Sequence, residues 1–280
     1  MNKLLLSLVA VLLGVVSAKA MADGNCLSPI TAPGGYCFFT YPEDTPGIFT
    51  IDTTGTITGS TGGWSLYLYG SPPVGNPAIT INNSGLITNA NPGGSAVVLN
   101  STDTGMVTLN NLGSITSTGG GGYGVQNISA TALTINNLQG AVGGALTFAG
   151  TLPTNYNIII SSPSNYGQLN VGGSAGSMNF GISGTSSLLS NTTYLDVLQG
   201  FNTLAGVNYS GNFEGYTYSL VADTNNAGDW NLVVGGGGGV APEMNASQIP
   251  QVGLLLACLF LLYGRKREDT QSTEELKLAA

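Results

Sequence analysis

Hydrophobic and polar positions alternate in short runs along most of the chain, and one run recurs. FTIDTTGTIT at 49–58 lines up with ITINNSGLIT at 79–88 and VTLNNLGSIT at 107–116, and LTINNLQGAV at 133–142 is a degenerate fourth copy. The equivalent positions Ile51, Ile81, Leu109 and Ile135 are 30, 28 and 26 residues apart, within the period of solenoid repeats. In each copy an apolar-alternating run precedes an Asn-Asn-x-Gly type of corner and a second run follows it. A third comes about ten residues on, at Leu66–Leu68, Ala96–Leu99 and Gly124–Val125.

Several strands per unit and no helical period predict an all-β chain whose body is a right-handed parallel β-helix, one coil per repeat, with rungs about 4.8 Å apart. Inward Ile, Val and Leu then stack in a continuous column. The residue after the aligned apolar position is Asp52, Asn82, Asn110 and Asn136. Amides at one level of such a stack can exchange hydrogen bonds as a ladder. A metal-binding row is the other reading of that level, and three neutral amides out of four disfavour it. Gly55, Gly85 and Gly113 follow the corner, as expected where a bend needs a positive φ.

The repeats occupy 49–148. Over 149–234 the repeat fades while strand patterning persists, in YNIII at 156–160, YGQLNV at 166–171, MNFGI at 178–182, YTYSLV at 216–221 and DWNLVV at 229–234. The last two runs resemble the closing strands of autotransporter passenger β-helices, which end in a Tyr-x-Leu-Val strand and a Trp-x-Leu strand. The resemblance implies a solenoid passenger, and it departs after Val234, where a membrane span stands in place of the translocator barrel.

Ahead of the coils, 21–48 holds Cys26, Cys37 and the aromatic residues Tyr36, Phe38, Phe39 and Tyr41. An open solenoid end exposes apolar core and strand edges, so this segment is the expected N-terminal cap. Its two cysteines, not spaced as Cys-x-x-Cys, are expected to form a structural disulfide in an oxidising exterior.

The ends carry targeting signals. Residues 1–20 have a basic start at Lys3, an apolar run from Leu4 to Val16, and Ala18-Lys19-Ala20 as a cleavage site, so they read as a secretory signal peptide. Asp23-Gly24-Asn25 before Cys26 is not a lipobox. A Gly-rich linker opens the segment 235–248, and the apolar run 249–264 follows it. That run spans about 24 Å at about 1.5 Å per residue, short of a hydrocarbon core of about 30 Å, and snorkelling of its basic flank makes up the difference. It predicts a single C-terminal transmembrane helix, with Arg265, Lys266 and Arg267 on the cytoplasmic side, 265–280 as a cytoplasmic tail, and the body outside. Pro242-Glu243-Met244, the apolar helix and the basic cluster together resemble the tripartite PEP-CTERM sorting signals that exosortases process in exported bacterial proteins. Met244 stands where that pattern has a second proline.

Composition narrows the chemistry. The 280 residues include 43 Gly, no His and only 7% charged residues, against averages of about 7% Gly and about 25% charged. All six basic residues, Lys3, Lys19, Arg265, Lys266, Arg267 and Lys277, lie near the ends, leaving 20–264 without a cation. A net charge of −8 with no cation in the body excludes nucleic acid as a partner. Without His or Lys in the body there is no His-activated nucleophile, imidazole metal site or Schiff base.

Carboxylates remain. Asp103, Asp196, Glu214, Asp223 and Asp229 are scattered, and no sequence spacing sets two of them opposite each other as glycoside hydrolysis requires. No calcium-loop motif is present. The expectation is therefore a non-enzymatic, cofactor-free surface module with a structural or adhesive role. Its expected partners are the membrane, a sorting protease and surface glycans; the aromatic residues offer faces on which glycans stack, although capping or core packing is the plainer role for them. A carbohydrate-active β-helix enzyme using paired carboxylates is the alternative.

Overall fold

A computed structural model describes residues 33–40, 48–59, 63–69, 79–100, 106–128, 132–172 and 177–236. The expected signal segment 1–20, Cys26, Asp103, Pro242, Glu243, the apolar run 249–264, and Arg265, Lys266 and Arg267 lie outside them. Among the described residues there is no helix, and so none long and apolar enough to cross a membrane.

The described chain is a parallel β-solenoid. An opening part-rung comprises β1 (Pro33–Gly34) and β2 (Cys37–Thr40). Three three-stranded coils follow: β3 (Ile48–Ile51), β4 (Thr56–Gly59) and β5 (Trp64–Tyr69); β6 (Ile79–Asn83), β7 (Leu86–Asn89) and β8 (Ser95–Asn100); β9 (Val107–Asn111), β10 (Ser114–Ser117) and β11 (Val125–Asn127). Next come β12 (Leu133–Asn137) with β13 (Leu146–Gly150), then β14 (Asn155–Ile158) with β17 (Leu169–Val171), the latter pair separated by a small hairpin of β15 (Ile160–Ser162) and β16 (Asn165–Tyr166). The chain closes with β18 (Met178–Ile182), β19 (Thr192–Gln199), β20 (Val207–Asn208), β21 (Ser210–Phe213), β22 (Tyr216–Ala222) and β23 (Trp230–Val234).

These strands stack into three sheets. The first runs β3-β6-β9-β12-β14-β18-β20, the second β1-β4-β7-β10, and the third β2-β5-β8-β11-β13-β17-β19. All of these pairings are parallel. The third sheet then turns antiparallel through β23, β22 and β21, which close the C-terminal end. The opening rung, paired in parallel to β4 and β5, lies within the segment expected to cap the solenoid.

Strand alternation builds the core. β6, β9 and β12 each bury their first, third and fifth residues. One inward column runs Phe49, Ile81, Leu109, Ile135, Tyr156, Phe180, one residue per rung and all buried. Another, from the third sheet, runs Cys37, Leu66, Val97, Val125, Phe148, Val171. Such columns bury apolar surface continuously between rungs, which is how units too thin to fold alone become stable together.

Two expectations about the corners are corrected. Ile51 pairs with Asn83, not with Ile81, and the partner of Asn82 is Thr50. Asp52 therefore stands outside the outer ladder. Its corner keeps four residues, Asp52 to Gly55, in a turn closed by Gly55 N–H to Asp52 O at 2.8 Å, where the next corner keeps only Ser84 and Gly85. The longer turn shifts the first strand by two residues while leaving Ile57 level with Ile87.

The corner glycines also serve a different purpose. Neither Gly85 nor Gly113 has a positive φ. A Cβ on Gly85 would run into the Gly55 carbonyl below it, and one on Gly113 into the Gly85 carbonyl. Glycine is required there because successive corners stack backbone on backbone.

Candidate functional site

Three groupings of polar or aromatic side chains stand out: paired amide ladders at the corner, carboxylates at the C-terminal closure, and rings on the third sheet.

The outer ladder of the first sheet forms where the sequence placed Asn82, Asn110 and Asn136. Asn110 Nδ2 donates to Asn82 Oδ1 at 2.8 Å and Asn136 Nδ2 to Asn110 Oδ1 at 2.6 Å. It continues to Asn157, whose Nδ2 donates to Asn136 Oδ1 at 2.8 Å, and ends below Gly181, where a side chain would crowd Asn157.

A second ladder, missed in the sequence, lies inside. The column Ile51, Asn83, Asn111, Asn137, Ile158, Ile182 holds three wholly buried amides between isoleucines. Asn83 Nδ2 donates to Asn111 Oδ1 at 2.8 Å, and Asn111 Nδ2 to Asn137 Oδ1 at 2.9 Å. These amides also serve corner backbone groups that the turn takes away from the sheet. Asn83 Oδ1 accepts from Gly85 N–H and its Nδ2 reaches Ser114 O, while Asn137 Oδ1 accepts from Gln139 N–H. Buried polar groups need such partners. Asn137 Nδ2 also reaches the hydroxyl of buried Tyr156, whose pKa burial pushes up. The signal was present: with period-2 alternation, the second Asn of each pair faces inward.

Gln139 explains why the second sheet stops at β10. Its Oε1 accepts from Ile115 N–H at 2.7 Å and its Nε2 donates to Ile115 O at 3.2 Å. One side-chain amide thus takes both bonds that a further strand's backbone would make.

The carboxylates are partly brought together. Asp196 sits in β19 where the pairing to β23 shifts register between Tyr194 and Leu198, with φ of 52°. Its N–H donates to Asn231 Oδ1 at 2.7 Å, and its own Oδ1 is buried without a hydrogen-bond partner. Asp223 and Asp229 face it from the β22–β23 connection, joined by Asp223 N–H to Asp229 O at 2.8 Å. Burial first, then the charges of Asp229 and Asp223 and contact with the Asp223 carboxyl, raise the pKa of Asp196.

The other two acids of this group have structural work. Asp223 accepts from Asn225 N–H, Asn225 Nδ2 and Asn226 Nδ2, and Asp229 Oδ1 accepts from Gly200 N–H at 3.3 Å. Glu214 does not join them: with Gly215 it forms a two-residue hairpin turn with positive φ at both positions, as the type I′ geometry requires. Among the described residues no group of His, Cys, Asp or Glu has the geometry to hold a metal ion.

Cys37 on β2 is buried and disulfide-bonded, and its partner lies outside the described residues. Near it, on the outer side of the third sheet, Tyr36, Phe38, Trp64, Tyr67 and Tyr69 form a contiguous ring array, with neighbouring centroids between 5.1 and 6.5 Å apart.

These features define a repeat protein of the β-solenoid class. Comparison with protein-family models, with curated proteins and with solved structures finds no match.

Proposed function

We propose that the protein is an exported bacterial surface module, a rigid β-solenoid poor in charge that is anchored to or sorted at the membrane through its C-terminal segment and serves a structural or adhesive role. The observation that carries this reading is the amide-laddered stack of parallel rungs, in whose stretch of sequence from 53 to 195 Asp103 is the single charged residue. Like charges on adjacent rungs would face each other about 4.8 Å apart, so a long stack favours Asn, Thr and Ser on its surface. The signal-like residues 1–20, the Pro242-Glu243 motif, and the run 249–264 followed by Arg265, Lys266 and Arg267 supply export, processing and anchoring in this reading.

Protease treatment of spheroplasts tests it. Digestion of the body with protection of the 265–280 tail, or of a processed surface form lacking that tail, is the expected result. A body that survives while the tail is cut reverses the topology.

A carbohydrate-active enzyme is the second reading, favoured by the gathering of Asp196, Asp223 and Asp229. Against it, two of the three carboxylates are engaged in holding the closing loop, and no cation assists. Turnover of glycosides or polysaccharides by the full chain that vanishes in Asp196→Ala would establish that reading in place of the first.

A further inference from the structure

The ring array on the outer face of the third sheet is explained by neither the core nor the ladders. On β2 and β5 the residues Cys37, Leu66 and Leu68 point into the core, and Phe38 lies level with Tyr67 on the opposite face. Ser65 and Leu66 are both fully buried, which breaks the alternation and brings Trp64 beside Tyr67, with ring centroids 5.1 Å apart. Phe38 and Tyr67 stack at 5.4 Å with 9° between planes, Trp64 leans at 37° to Phe38, and Tyr36 meets Trp64 edge-on at 5.3 Å. Tyr36 is 41% exposed and Tyr69 48%.

Three features say what such a surface takes. Its exposed part is aromatic: on later rungs of the same sheet Val98 and Ala149 are buried, and the polar Asn100 stands between Tyr69 and the exposed Ile128, so the rings are not continued by an aliphatic patch. Polar groups rim it, since Asn100 Nδ2 donates to the Tyr67 hydroxyl at 2.7 Å and the phenols of Tyr36 and Tyr69 belong to half-exposed side chains. Aromatic surface with a hydroxyl and amide rim suits a sugar ring, which presents C–H groups on its faces and hydroxyls around its edge. The third feature is charge. With no Lys, Arg or His from residue 20 to 264 and a net charge of −8, the surface has nothing to attract a uronate or sulfate.

We propose that Tyr36, Trp64 and Tyr69, backed by Phe38 and Tyr67, form a binding platform for a neutral glycan. This rests on the reading of the protein as a surface module and gives its adhesive role a ligand class.

The test is affinity electrophoresis of the purified full chain in detergent, through gels containing dextran, amylose, xylan or galactomannan, with polygalacturonate and heparin as anionic controls. The expected result is retardation by at least one neutral polymer and by neither polyanion. Trp64→Ala and Tyr69→Ala should each weaken it by about 3- to 10-fold, the range that a single aromatic contact supplies. Trp64→Phe should retain most of the binding. Tyr69→Ala and Tyr36→Ala remove exposed rings and should leave the melting temperature within a few degrees, so they decide the matter if Trp64→Ala does not fold.

No retardation by any neutral polymer overturns the platform, as does retardation only by the polyanions, or binding that survives Tyr36→Ala and Tyr69→Ala combined. A protein that spheroplast shaving places outside the cell yet that no neutral polymer retards loses the glycan proposal alone. A body inside the cell sinks the surface reading and leaves the gel result to stand by itself.

Discussion

Asn110 and Asn111 are neighbours in the chain, yet their carboxamides bond in opposite directions along the solenoid: Asn110 donates back to Asn82 on the preceding rung, and Asn111 donates forward to Asn137 on the following one. One ladder is half in solvent and the other is wholly buried.

The burial difference sets the cost of losing each. Asn110→Ala removes a bond that water can replace and should destabilise by about 1 kcal/mol or less. Asn111→Ala leaves the amides of Asn83 and Asn137 short of partners in the core and should cost about 2–4 kcal/mol, part of it from the cavity. Chemical denaturation of the two variants checks the ordering, and equal losses would show that the buried ladder is no more important than the outer one.

Gln139→Ala should be costly as well, about 2–4 kcal/mol, because it strips partners from both the N–H and the C=O of buried Ile115. Gln139→Glu is the sharper probe. A carboxylate accepts from Ile115 N–H but cannot donate to Ile115 O, so this variant should unfold more easily at neutral pH and recover as the pH falls and the carboxyl is protonated. A melting temperature for Gln139→Glu that does not vary with pH would contradict the strand-mimic role.

Gly113→Ala should destabilise by about 2 kcal/mol or more, since the added methyl meets the Gly85 carbonyl of the rung below. Gly143→Ala, with nothing within 4 Å of the new methyl, is the control and should be neutral within about 0.5 kcal/mol. If both behave alike in thermal unfolding, the corners do not stack as closely as described.

The Asp196 carboxyl gives the C-terminal closure a pH dependence. Its pKa is raised in the folded protein, chiefly by burial and then by Asp229 and Asp223, so the neutral form is favoured by folding. The stability it contributes is fully present below the ordinary carboxylate range and is lost as pH rises through the raised value. Exchange of backbone amides in 192–200 and 222–231 should therefore quicken between mildly acidic and neutral pH, after correction for intrinsic rates. Asp196→Asn keeps a residue tolerant of the positive φ and removes the charge. It should raise the melting temperature at neutral pH and flatten the dependence; a lower melting temperature would count against this account.

Much of the solenoid was legible because alternation and a recurring corner are local signals. The strands at 79–83, 107–111 and 133–137 and the ladder Asn82, Asn110, Asn136 follow from period-2 patterning and a near-constant repeat. Asp52 was misplaced for an equally local reason. An alignment that keeps the residues of a turn in step cannot see that Asp52 to Gly55 bulges by two, and only pairing with β6 shows Thr50 level with Asn82.

By itself, then, the sequence determined a stacked all-β body poor in charge, because strand periodicity, repeat spacing and the absence of cations are properties of the chain read in order. Tertiary structure alone decided what meets across rungs: the buried ladder Asn83, Asn111, Asn137, the replacement of a strand by Gln139, the approach of Asp223 and Asp229 to Asp196, and the rings of Phe38 and Trp64 beside Tyr67. Asp196 and Asp229, or Phe38 and Tyr67, are each about thirty residues apart in sequence. Phe38 and Tyr67 become neighbours through the register of parallel strands, which is set by how many residues each corner absorbs, and Asp196 and Asp229 through the antiparallel pairing of β19 with β23.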